Sequence, residues 1–212
     1  YAWSADAETV SDTGRVVLRH KSKAADMGFP GKVKASATFE LTSNRLSIGY
    51  QATVDEPTPL NMTNHVYWNL AGEGTLDGHE LSIAAPAYVE VDEANIPVSG
   101  PPAVVGGTRF NCNDKRSLAG VVEAGGYDHC FVLDQDVETA ASLWHESGRR
   151  IDITTNQIGL QAYTGQHLDV GRRGIALETQ CLPDTPNRRD FGDCIVRPDA
   201  DYHASTTFTF TS

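Results

Sequence analysis

The sequence predicts an all-β fold, a sandwich or barrel of short antiparallel strands. Three observations carry that prediction. Apolar and polar residues alternate in several runs, residues 32–41 and 45–54 most clearly, and a period of two marks a strand with one buried face. Clusters of Gly, Pro, Asn and Asp punctuate those runs at short intervals, as turns between strands require. No stretch longer than about ten residues shows the i, i+3, i+4 recurrence of a helix.

Taken in order, residues 15–20 (RVVLRH) read as a short strand and Gly28-Phe29-Pro30-Gly31 as a turn. Residues 32–41 place Val33, Ala35, Ala37 and Phe39 on one side, and residues 45–54 do the same with Leu46, Ile48, Tyr50 and Ala52. The two runs flank Thr42-Ser43-Asn44 and read as a hairpin. Asp55-Glu56-Pro57-Thr58-Pro59 breaks the sheet. Short strands are expected at residues 79–84, 88–92, 130–133, 160–164, 174–180 and 205–210. Residues 139–145 and 150–155 form a second hairpin about Ser147-Gly148. Residues 95–116 read as long loops with an extended piece at 103–105, and residues 117–123 as a single helical turn. No shift in composition suggests a linker, so residues 1–212 are expected to form one domain.

Composition limits the function. The formal net charge of -11 argues against nucleic acid and against anionic membrane surfaces as partners. No apolar run is long enough for a transmembrane helix, and no secretion signal is visible. Cys112, Cys130, Cys181 and Cys194 lack zinc-ligand spacing and read as free thiols in a cytoplasmic protein. Motifs of serine hydrolases, nucleotide-binding loops and zinc proteases are missing.

The residues able to do chemistry concentrate in a few strands. In residues 61–70 (NMTNHVYWNL), strand alternation sends Val66, Trp68 and Leu70 to one face and His65, Tyr67 and Asn69 to the other. Imidazole, phenol and amide in a row suit a polyhydroxylated ligand; the alternative is a polar face meeting water. In residues 174–180 (GIALETQ), Glu178 lies either on a solvated face or in a lined cleft, where burial would raise its pKa and make it a usable base. Asp128, after two glycines, either projects into a pocket or caps its own turn. Gln161 shares a strand face with Tyr163 and could bind hydroxyls or face solvent. One carboxylate base, one histidine, amides and aromatics suit proton transfer on a sugar without metal or cofactor.

These same segments resemble the aldose 1-epimerases, or galactose mutarotases. The resemblance rests on residues 61–70, on Gly126-Tyr127-Asp128-His129, on residues 159–165 (GLQAYTG), and on Leu177-Glu178-Thr179-Gln180 followed by Pro183-Asp184 and Asn187. Gly28-Phe29-Pro30-Gly31 is also similar. The resemblance implies a large twisted β-sandwich of antiparallel sheets, a supersandwich, with a sugar cleft on one face. It implies that Glu178 takes the proton from the anomeric hydroxyl, that His65 protonates the ring oxygen, and that Asp128 and Gln161 bind sugar hydroxyls. Tyr67, on the face of His65, is expected to touch the sugar as well.

The family's H-G-G segment has no counterpart here. The chain is therefore expected to lack N-terminal strands, and to associate with the missing segment or to dimerise through an exposed sheet. Two other functions compete. One is a non-catalytic carbohydrate-binding module that keeps the cleft. The other is a glycosidase in which Asp128 and Glu178 flank a glycosidic bond. A phosphosugar mutarotase would draw on Arg172 and Arg173.

Overall fold

The computed structural model describes residues 2–168 and 171–212. They fall into two compact units, the first of residues 1–62 and 185–209, the second of residues 63–184 and 210–212. In chain order the first unit opens with β1 Ser4–Val10, β2 Thr13–Ser22, β3 Val33–Leu41, β4 Arg45–Val54 and β5 Thr58–Pro59. The second carries β6 Tyr67–Trp68, β7 His79–Ile83, β8 Ala87–Tyr88, β9 Ala103–Val104 and β10 Arg116–Ser117, then the short helix α1 Leu118–Glu123. It continues with β11 Asp128–Val132, β12 Ala141–His145, β13 Arg150–Thr155, β14 Gly159–Tyr163 and β15 Ile175–Gln180. The last strands are β16 Ile195–Val196 and β17 Tyr202–Thr211. The fold is all-β, and β1–β2, β11–β14, β14–β15 and β4–β17 pair antiparallel.

In the first unit β1, β2, β3, β4 and β17 lie side by side in that order. The predicted hairpin is β3–β4, with Phe39 opposite Ile48 and Ala37 opposite Tyr50. Alternation sorts its faces as expected: Ile48, Tyr50, Ala52 and Val54 are buried, while Gln51 and Thr53 are exposed. Strand β1 went unread because residues 4–9 are exposed and carry no apolar stripe. Its ladder with β2 and the cross-strand pairs Arg15–Glu8 (2.9 Å) and Arg19–Asp6 hold it instead.

In the second unit the six-stranded sheet runs β6-β15-β14-β11-β8-β9, and β13, β12, β7 and β10 are hydrogen-bonded neighbours in that order. The predicted hairpin is β12–β13, whose turn uses Gly148 at φ 94°. Leu81, Ile83, Leu118, Phe131, Leu143, Ile151, Ile153 and Leu160 are buried almost completely and form this unit's core.

Two predicted strands are shorter than read. Residues 61–70 keep a strand only at Tyr67–Trp68, and Val66 is exposed, so the proposed apolar face does not hold. The cause is Asn69. Its amide donates to the carbonyls of Glu73, Gly74 and Arg173 and accepts the Ala71 N–H, which turns the chain away directly after Trp68. The strand expected over 88–92 stops at Tyr88. Asp92 Oδ1 accepts the N–H groups of Ala94 and Ile96 and forms a turn there.

Candidate active site

Four strands of one sheet assemble the site. Tyr67 on β6 stands opposite Ala176 on β15. Glu178 stands opposite Gln161 on β14, and Tyr163 of β14 stands opposite Asp128 on β11. Residues paired across an antiparallel ladder share a face, and so do residues two apart along a strand. Tyr67, Glu178, Gln161, Tyr163 and Asp128 therefore lie on one face. His65 reaches the same place from the chain leading into β6, its Nε2 lying 3.4 Å from Glu178 Oε1.

Close packing fixes these registers. A Cβ at Gly126 would lie 2.4 Å from Thr164 Oγ1, and Gly126 has φ 78°, so only glycine lets β11 start where it does. Thr164 Oγ1 in turn accepts the Tyr127 N–H at 2.9 Å. At the other end a Cβ on Gly174 would meet Tyr67 Cβ at 3.1 Å. Glycine there lets β6 close on β15.

The electrostatics follow from this layout. Glu178 is 8% exposed. Burial raises its pKa, the facing His65 lowers it, and the Asp128 carboxylate raises it again, leaving it above the ordinary glutamate value. Asp128 Oδ1 accepts a hydrogen bond from Gln161 Nε2 at 2.8 Å. The Tyr67 phenol is pushed up by burial and by the neighbouring Tyr163, Glu178 and Asp128. Behind Asp128, burial and the Arg109 charge depress His129 to about 4. Its Nδ1 accepts the Asp128 N–H at 3.1 Å, and its ring lies 4.4 Å from that of Phe110.

Glu178, His65, Asp128, Gln161 and Tyr67 thus come together, and Glu178 is buried rather than on a solvated face. Asp128 caps no turn of its own; it opens an interior strand. Asn69 does not join them, since its amide is spent on the loop carbonyls. Arg173 lies exposed in the loop before β15 and offers its backbone carbonyl to Asn69. Among the described residues no group of three or more His, Cys, Asp or Glu side chains is placed to hold a metal ion, and no helix is long and apolar enough to cross a membrane. Among the described residues the four cysteines form no disulfide.

Both the sequence and the fold of this chain are similar to those of known proteins. The family model "Aldose 1-epimerase" matches residues 2–209. The chain belongs to the aldose 1-epimerase family. It is 36% identical over 221 residues to the aldose 1-epimerase of Escherichia coli, covering 92% of this chain and 64% of that protein. It is 37% identical over 209 residues to the galactose mutarotase of Rattus norvegicus, covering 90% and 61%. The chain thus spans a little under two thirds of these relatives. Among solved structures it is similar to an aldose epimerase homologue from C. elegans, with 27% identity and a TM-score of 0.89 over 99% of this chain and 68% of the other. A galactose 1-epimerase from Lactobacillus acidophilus gives 28% and 0.88 over 100% and 67%.

In this chain of the aldose 1-epimerase family, Tyr163 shares the site face with Gln161, as strand alternation places it, and the sequence reading assigns it no role of its own. Its ring lies 6.4 Å from His65 and 6.2 Å from Tyr67. The period of two that puts Tyr163 on the face of Gln161 does not reveal its ring contacts with His65 and Tyr67. The clamp of Tyr127, Thr164 and Gly126 was not legible, because it depends on two strands meeting across 37 residues of sequence.

Proposed function

We propose that this chain carries the acid/base centre of an aldose 1-epimerase, interconverting the α and β anomers of a free hexose such as galactose or glucose. The single observation that carries the reading is the Glu178–His65 pair, 3.4 Å apart on a face lined by Asp128, Gln161 and Tyr67. Relatives named aldose 1-epimerase and galactose mutarotase support it.

Glu178 takes the proton of the anomeric hydroxyl, and the C1 oxygen becomes the aldehyde oxygen. The bond from C1 to the ring oxygen breaks with its electron pair on that oxygen, which takes a proton from protonated His65. Rotation about C1–C2 presents the other face of the aldehyde. Closure runs the same transfers in reverse and returns both protons. A base at Glu178 must be ionised while His65 holds its proton. Desolvation strengthens the base, and the facing imidazolium keeps it ionised. Asp128 and Gln161 hold sugar hydroxyls, with the Gln161 amide fixing one Asp128 oxygen. Tyr67 lines the sugar.

We take residues 1–212 as one mutarotase-like domain in a cytoplasmic setting, which cysteines outside any disulfide support. It works together with a further polypeptide segment or with a second copy. Two features support that association. Thr63 Oγ1 and both amide atoms of Asn64 are buried with no hydrogen-bond partner among the described residues, a state that costs free energy until a partner arrives. In the first unit, exposed Trp3, Met27 and Phe29 line a cavity of about 420 Å³ with Leu60 and Met62. Sedimentation of the chain alone checks it; a monomer at high concentration that leaves these residues open to solvent contradicts it.

Polarimetry on freshly dissolved α-D-glucose and α-D-galactose tests the function. The expected result is relaxation faster than buffer, abolished by Glu178→Gln with sugar binding kept. Binding without acceleration in the unmodified chain would make it a carbohydrate-binding module instead.

A further inference from the structure

Among the described residues, His65 accepts and donates no hydrogen bond that would orient its ring; Nε2 faces Glu178 at 3.4 Å, and Nδ1 has no partner. The next histidine along the chain is held differently. His79 is pinned at both nitrogens, accepting the Leu70 N–H at 2.9 Å and facing the Asp77 carbonyl at 3.2 Å. The His65 side chain is 51% exposed, and residues 61–66 belong to no strand. A general acid in that position needs something to hold it, because a misplacement of about 1 Å can cost on the order of 100-fold in rate.

Two rings supply the hold. Tyr67 lies 4.9 Å from the imidazole at 38°. Tyr163 meets it edge-on at 6.4 Å and 84°. The two tyrosines also meet each other at 6.2 Å and 65°, so the three rings close a triangle within the range of favourable aromatic contact. The tyrosines are not equivalent. Tyr67 sits on a two-residue strand at the edge of the sheet. Tyr163 sits on an interior strand, opposite Asp128 on one side and Ala176 on the other. Its phenol oxygen accepts the His167 N–H at 3.1 Å, which fixes the ring from its far end.

We propose that Tyr163 is a positioning residue for ring opening: its ring, not its hydroxyl, holds the His65 imidazole against Glu178. The inference rests on the reading of His65 as the acid, and it adds a residue to that site. Neither the proton transfers nor the sugar hydroxyls need the Tyr163 phenol.

The test compares Tyr163→Ala with Tyr163→Phe in the 212-residue chain, by polarimetry over a range of galactose concentrations and by NMR of the His65 ring protons. Tyr163→Ala is expected to lower kcat about 10- to 100-fold with KM changed by less than about threefold. Tyr163→Phe, which keeps the ring, is expected to restore kcat to within about threefold of the unmodified chain. Should Tyr163→Ala not fold, Tyr163→Leu fills the space without an aromatic ring and carries the same comparison. An alanine variant with unchanged kcat overturns the proposal. So does a phenylalanine variant as slow as the alanine one, which would assign the effect to the hydroxyl and its tie to His167. If the unmodified chain shows no mutarotation, the functional reading fails, and the NMR arm still decides the positioning. Loss of ring-current shift at His65 in Tyr163→Ala but not in Tyr163→Phe supports it; unmoved His65 resonances in both overturn it.

Discussion

At the scale of single residues, the site is a matter of which polar groups have partners. The Gln161 amide is committed to Asp128, and Glu178 faces His65. Replacing Gln161 by Leu leaves the Asp128 carboxylate without its 2.8 Å donor. Hydrogen bonds to charged groups are worth roughly 1.5–3 kcal/mol, so KM for the sugar should rise about 10-fold or more while kcat moves little; steady-state polarimetry separates the two. Gly159 is a second telling residue. An added Cβ would lie 2.9 Å from Leu182 Cδ2, 3.0 Å from Cys130 Sγ and 3.1 Å from the Gln180 carbonyl. Gly159→Ala should therefore destabilise the fold by roughly 1–3 kcal/mol through overpacking, read as a lower urea midpoint with an unchanged slope.

At the scale of elements, the ladders were legible and the ties between their ends were not. Alternation in residues 45–54 named the buried face of β4 correctly, because one side of that strand is apolar and the other polar. The same rule failed at residues 61–70, where the turn made by Asn69 overrides strand propensity, and it could not find β1, whose stability comes from a ladder and charge pairs. The grouping of Glu178, Gln161 and Asp128 was legible only through family resemblance; period-two counting gave their faces but not their registers. Thr164 shows what such counting leaves out. Its hydroxyl accepts the Tyr127 N–H at 2.9 Å and lies 2.9 Å from Gln166 Oε1, joining the start of β11 to the end of β14. Thr164→Val keeps the shape and removes both bonds, and should cost roughly 1–3 kcal/mol by leaving a buried N–H unpaired. Thr164→Ser should recover most of it, measured by urea unfolding.

At the scale of the whole molecule, stability should fall in mild acid. His79 and His129 both have pKa values depressed by burial, His129 to about 4. A histidine whose folded pKa lies below its unfolded value near 6.5 contributes its full stability above that value. The contribution is lost as the pH falls through the window down to the folded value, because the unfolded chain binds the proton first. For His129 the ceiling is roughly 3 kcal/mol, at about 1.4 kcal/mol for each unit. Glu178 works in the opposite direction across part of that window, since its raised pKa favours the protonated folded state. Urea unfolding between pH 7 and 4 should show a net decline, and His129→Gln should flatten it. An unchanged slope in that variant would remove His129 from the account.

Cys130 gives this sheet a clock. Its thiol is completely buried, burial and the nearby Glu178 push its pKa up to about 12, and it packs against Gly159 on the face that carries Glu178. Burial keeps the thiol protonated at neutral pH, and a reagent reaches it only when the packing over that face opens. Labelling by a disulfide reagent must wait for that opening, so its rate counts openings beside the site. A sugar that binds above should slow the count in proportion to its occupancy, giving an affinity that needs no turnover to be observed.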